Sequence, residues 1–174
     1  MNTDVDELSE PRDIAAFQPG QKYHESAIST LTVFQMNFFY YDLNWIRTNK
    51  WPRANAIPGH LALTLLSDME ECRQNDILRI AGNQLEGGYH MTYFLSVDEI
   101  RRKTETFAHQ EFNRDEFKSD EHINHCISTG LDIYKRPECR LEPWDYRQAP
   151  LPLQKFHENI CKVQNVDPLL MNNP

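Results

Sequence analysis

Large apolar side chains crowd residues 31–46 more densely than anywhere else in the chain. Leu31, Phe34, Phe38, Tyr41 and Trp45 recur at the three- and four-residue steps of a helix, and Met36, Phe39, Leu43 and Ile46 form an adjacent stripe. The spacing predicts a helix, capped by Ser26 or Ser29, that needs cover on most of its sides. Thr, Val, Phe and Tyr also favour strands, so a bulged strand is the rival reading of the same segment.

The remaining pattern is also mostly helical. Pro11 opens a short helix that Gln18-Pro19-Gly20 stops. Leu61, Leu65, Met69 and Cys72 repeat at helical spacing after the proline-punctuated loop 49–59. Residues 77–86 read as a further helix ended by Gly87-Gly88; the rival reading makes 77–81 and 89–95 the two strands of a hairpin near 76–95. Ser96 and Glu99 form a capping box that starts a helix from Val97 to about Phe112, with Ile100, Thr104, Phe107 and Ala108 inward. Ser119 caps the next, which carries Ile123, Ile127, Leu131 and Tyr134 and ends at Pro137. Residues 137–152 hold four prolines. They read as an extended crossing pinned by Trp144 and Tyr146. A last helix over 153–165 points Leu153, Phe156, Ile160 and Val163 inward, and Asp167-Pro168 stops it.

The expected fold is therefore mainly α: a single-domain fold of five to seven helices, with α+β as the alternative. Residues 1–10 read as a flexible acidic N-terminus, 11–166 as one globular domain and 167–174 as a C-terminal tail. A chain of 174 residues is long enough to bury a core without a staple.

Composition narrows the function classes. The formal charge of −8 argues against general nucleic-acid binding, which needs clustered Lys and Arg; Arg101-Arg102-Lys103 is a short basic run. No apolar run approaches the ~20 residues of a membrane span, and the acidic N-terminus is not a secretory signal. Four cysteines (Cys72, Cys126, Cys139, Cys161), none in a C-x-x-C pair, fit reduced thiols in a cytoplasmic or otherwise intracellular protein.

Three chemical constellations stand out. His122-x3-Cys126 and His157-x3-Cys161 each place an imidazole and a thiol on one helix face, a donor set that suits zinc if the helices converge, with His125 and Cys139 in reserve. The competing reading makes these cysteines small core residues. Cys126 with His60 or His90 as base is a candidate hydrolase pair, although Cys126 sits two turns into its predicted helix rather than at the N-terminus. Glu105-x3-His109 and Glu121-His122 have the wrong spacing for a di-metal bundle site. Phosphate-loop, dinucleotide and G-x-S-x-G motifs are absent from the sequence.

The expected function is therefore non-catalytic: a protein-interaction, assembly or regulatory subunit, binding a protein partner or its own copies. Tyr40, Tyr41, Trp45, Trp51 and Trp144 are the expected partner-binding anchors, because aromatic residues in excess of one small core are typical of interfaces. No cofactor is required by this reading; zinc belongs to the alternative.

Overall fold

The structure is a computed structural model and describes residues 7–9, 11–16, 18, 28–56, 82–106 and 109–168. Its elements are β1 (Glu7–Leu8), α1 (Pro11–Ala16), β2 (Ile28–Tyr40), β3 (Trp45–Arg47), β4 (Trp51–Ala56), β5 (Gly82–Thr92), α2 (Val97–Thr106), α3 (Asp115–Lys118), α4 (Asp120–Thr129), β6 (Leu141–Pro143) and α5 (Leu151–Gln164). Short 3-10 turns lie at Gln110–Phe112 and Tyr146–Gln148. Six strands join in one mixed sheet in the order β1-β5-β2-β3-β6, with β4 also on β2.

The fold is thus α+β, and the mainly helical expectation is corrected. The decisive element is β2, where a helix was expected at 31–46. Helical and strand periods are distinguishable only when polar residues mark one face. Here both alternating sets are apolar, and Leu31, Val33, Phe34, Met36, Phe38, Phe39 and Tyr40 are all buried. A strand covered on both faces reads as a continuous apolar run, as a buried helix does. The expected helix around 61–72 and the first strand of the expected hairpin, 77–81, lie outside the described residues. The rest of the hairpin region is one long strand, β5.

The chain divides into two compact units: residues 1–38 with 49–90, and 39–48 with 91–174. In the first, β4 runs antiparallel to β2, pairing Thr32 with Ala56 and Phe34 with Ala54, and the register shifts between Phe34 and Met36. Phe34, Met36, Ala54 and Ala56 form a core against which Trp51 and Leu85 pack. On the other edge of β2, Met36 lies against Gly88 and Phe38 against His90. That constant offset means β2 and β5 run in the same direction. β1 pairs antiparallel with β5, Glu7 opposite His90 and Leu8 opposite Tyr89. Gly88 does not end a helix, as expected from the sequence; it sits in β5 with φ +80, where a Cβ would strike the Leu8 carbonyl.

In the second unit, Phe39 of β2 pairs with Ile46 of β3, and β3 pairs with β6 through Trp45–Pro143, Ile46–Glu142 and Arg47–Leu141. Helix α2 starts where its capping box sits: Ser96 N and Oγ donate to Glu99 Oε2 at 2.9 and 2.6 Å. It is shorter than expected, ending at Thr106, and it packs against α3 and α4. Ser119 caps α4 by accepting from His122 N at 3.2 Å. Gly130, at φ +67, closes that helix well before Pro137. The proline-rich segment is tied down by β6, by Trp144 N donating to Asn44 O at 2.7 Å, and by the Trp144 ring 4.9 Å from Phe39.

Candidate functional site: the two faces of the C-terminal helix

Helix α5 carries the site, because it is rotated relative to its sequence pattern. Pro150 and Pro152 start it and Asn165, at φ +58, stops it, so its bounds are close to those expected. The residues it buries are His157, Cys161 and Gln164, which share a face by their four- and three-residue steps. The apolar stripe expected inward lies about one residue around the helix. Leu153 and Ile160 are half-buried at its boundary. Phe156 is 40% exposed, Val163 58% and, at the helix start, Leu151 68%.

The inward face is polar because it answers backbone groups of the turn at 41–44. Gln164 Nε2 donates to Tyr41 O at 2.9 Å and to Leu95 O at 3.0 Å. Leu43 N donates to His157 Nδ1 at 3.1 Å. An N–H donor at Nδ1 fixes the ring proton on Nε2, which faces Pro168 O at 3.4 Å. The Tyr146 ring covers the imidazole, with centroids 4.3 Å apart. Turns expose carbonyl and amide groups that a strand would pair, and buried ones need partners. These side chains supply them.

Asp42 completes the inward cluster. Its Oδ1 accepts from Asn44 N at 2.6 Å, closing an Asx turn. Its Oδ2 is buried without a hydrogen-bond partner. Ligand atoms of Asp42, His157 and Cys161 all lie within 4.8 Å of one another. The Cys161 sulfur is 3.6 Å from His157 Nε2 and 3.7 Å from Nδ1. Burial pushes the Asp42 carboxyl up to about 7, opposed by its hydrogen bonds from Asn44. Burial, with Asp42 adding to it, pushes the Cys161 thiol up to about 12. Burial lowers His157. Cys161 is therefore a thiol and His157 a neutral imidazole at pH 7.

The other expected donors are placed differently. His122 and Cys126 lie side by side on α4, with Nε2 3.6 Å from the sulfur, and His122 Nε2 donates to Ile133 O at 2.8 Å. Among the described residues, the only close group of three or more metal-type donors is Asp42, His157 and Cys161, so the α4 pair stands outside it. His125 is exposed and Cys139 is a buried free thiol. Burial raises the Cys126 thiol to about 11, the opposite of an activated nucleophile. His60 lies outside the described residues. His90 belongs to the first unit, stacked on Trp51 at 4.4 Å with Glu7 Oε1 3.9 Å from its Nδ1, whereas Cys126 belongs to the second. His109 is exposed and pairs with Glu111 at 2.9 Å; Glu105 and Glu121 are exposed.

The aromatic residues expected as anchors turn toward their own chain. Tyr41 OH donates to Leu131 O at 2.7 Å and Trp45 Nε1 to Ile127 O at 2.8 Å. Tyr40 is buried and its hydroxyl accepts from Arg136 Nη2 at 3.1 Å. Trp51 is half-buried, its Nε1 donating to Glu7 Oε1 at 2.6 Å, and Trp144 is half-buried against Phe39. The feature missed from sequence is the polar row His157, Cys161, Gln164, whose helical spacing is as regular as that of the apolar row. Hydropathy alone places the wrong row inward.

No protein family, curated protein or solved structure matches the chain. Among the described residues, no helix is long and apolar enough to cross a membrane.

Proposed function

We propose that the second unit is a non-catalytic docking module that receives an amphipathic helix of a protein partner along the outward face of α5. The observation that carries this reading is the rotation of α5. Phe156, Ile160 and Val163, at helical i, i+4, i+7 spacing, run along the edge of the helix that its own unit leaves partly or fully exposed. The Phe156 ring stacks on Phe94 with centroids 6.0 Å apart, yet 40% of Phe156 and 58% of Val163 stay exposed. Full burial of such a side chain is worth ~1.5–3 kcal/mol, so covering the exposed remainder of the row is a source of association energy. Anchors at this spacing are what helix recognition uses.

Charge supports a partner of particular chemistry. Lys155 and Lys162 are exposed on the solvent edge of the stripe and form no ion pair among the described residues. An acidic flank on the incoming helix would meet them, which favours encounter rate and orientation more than affinity. A single helical stripe is a small contact, the size of a transient complex rather than a permanent one.

Selection of a displayed library of helical peptides against the full chain tests this. The expected winners carry an apolar i, i+3, i+4, i+7 row with acidic residues along one side, and a Phe156→Asp, Val163→Asp double variant with an unchanged circular dichroism spectrum fails to bind them. Equal binding by that variant, or no enrichment, defeats the proposal. A dimer in light scattering that the same double variant abolishes would assign the stripe to a second copy instead, and would overturn the hetero-partner reading.

A further inference from the structure

The opposite face of α5 carries an independent inference: we propose that Asp42, His157 and Cys161 form a site for a zinc-type divalent metal ion. The donor set is one carboxylate oxygen, one imidazole nitrogen and one sulfur, the mixture that borderline-soft metals take and that calcium or magnesium do not. The vertices of a tetrahedron with metal–ligand bonds of ~2.0–2.3 Å lie ~3.3–3.8 Å apart. The 3.6 and 3.7 Å sulfur–nitrogen separations fall in that range, and the whole set lies within 4.8 Å.

Helical spacing alone does not make the site, and α4 is the internal control. Its His122–Cys126 pair has the same 3.6 Å separation, yet no third donor joins it among the described residues. On α5 the third donor arrives from a different element. The turn that follows β2 brings one Asp42 carboxylate oxygen within 4.8 Å of the pair, and Asp42 Oδ2 is buried without a hydrogen-bond partner. Buried carboxylate oxygens are ordinarily satisfied, so an unpartnered one among ligand-type atoms points to a cation.

The imidazole is prepared for the same role. Metal-bound histidines usually donate their second ring N–H to a carbonyl, and His157 Nε2 faces Pro168 O at 3.4 Å. That leaves Nδ1 as the nitrogen with the lone pair, on the side of the ring that meets residue 43. Leu43 N–H holds that lone pair at 3.1 Å, so a metal gains a coordination bond by displacing one backbone hydrogen bond. Three protein donors leave a fourth position for water or another group. Because all three side chains are buried, the ion enters as the chain folds, and binding is coupled to folding.

The test is refolding of the full chain with cobalt(II) as the spectroscopic stand-in for zinc. The expected result is about one ion per chain, with a thiolate-to-cobalt charge-transfer band that zinc bleaches. Cys161→Ser removes the band and Cys126→Ser leaves it unchanged. Asp42→Asn, which alters shape least, weakens cobalt binding ~10-fold or more. Absence of the band in the refolded parent chain overturns the proposal. So does a band that survives Cys161→Ser or is lost with Cys126→Ser, and so does full-strength binding by folded Asp42→Asn. The peptide-docking result does not bear on these outcomes.

Discussion

A Cβ atom added to Gly130 would fall inside the indole ring of Trp45. The two residues meet because Trp45 Nε1 donates to Ile127 O at 2.8 Å, which draws the indole across the last turn of α4, where Gly130 closes the helix at φ +67. Gly130→Ala therefore combines a left-handed backbone cost of ~1–2 kcal/mol with overpacking of ~1–3 kcal/mol. The expected loss is about 3 kcal/mol in urea unfolding, with a change in tryptophan emission. A variant as stable as the parent chain would contradict the close approach.

Asp132 is held almost wholly inside the protein by Arg136. Its side chain is 2% exposed. Arg136 Nη2 donates to Oδ1 at 2.6 Å and Nε to Oδ2 at 3.0 Å, while Tyr134 N and Arg136 N also donate to Oδ2. Arg136→Met leaves a buried carboxylate without its counter-charge and should cost ~3 kcal/mol. Arg136→Lys keeps the charge but loses the two-pronged geometry, and should fall between the two in thermal melting. If the methionine variant melts with the parent, the pair does not hold the turn at 132–136.

Tyr93 predicts behaviour in alkali. Burial first, and then the neighbouring Tyr134 that shares a 2.9 Å hydrogen bond with it, hold the Tyr93 hydroxyl well above its ordinary value. The folded protein therefore keeps this proton where the unfolded chain releases it, near pH ~10. Stability from this group is complete below that pH and is lost as pH rises toward the folded value. Unfolding titrations from pH 8 to 11 should show a decline that is shallower in Tyr93→Phe. Parallel curves for the two proteins would refute the assignment.

How much could be read in advance depended on whether a segment carried local punctuation. Ser96 with Glu99, Ser119 and the Asp167-Pro168 stop mark helix ends chemically, and α2, α4 and α5 lie close to those marks. Residues 31–46 have no such marks inside them. Their side chains are apolar at both periods, so only length argues for a helix there, while Thr, Val, Phe and Tyr favour the strand. In α5 the element was legible and its rotation was not. Four carbonyl and amide groups, on Tyr41, Leu43, Leu95 and Pro168, draw His157 and Gln164 inward, and those groups come from distant parts of the chain. For the same reason Asp42 was invisible as a partner of His157 and Cys161: no spacing rule links a turn after one strand to the final helix.

The parallel run of β2 beside β5 has a consequence for synthesis. Residues 41–81 separate the two strands in the chain, so β2 leaves the ribosome well before its neighbour exists. During that interval β4 can close only one of its edges, and an apolar strand with an open edge is prone to join other nascent chains. The polypeptide is most vulnerable to misassembly, and most in need of a chaperone, while everything from Gly82 onward is still being made.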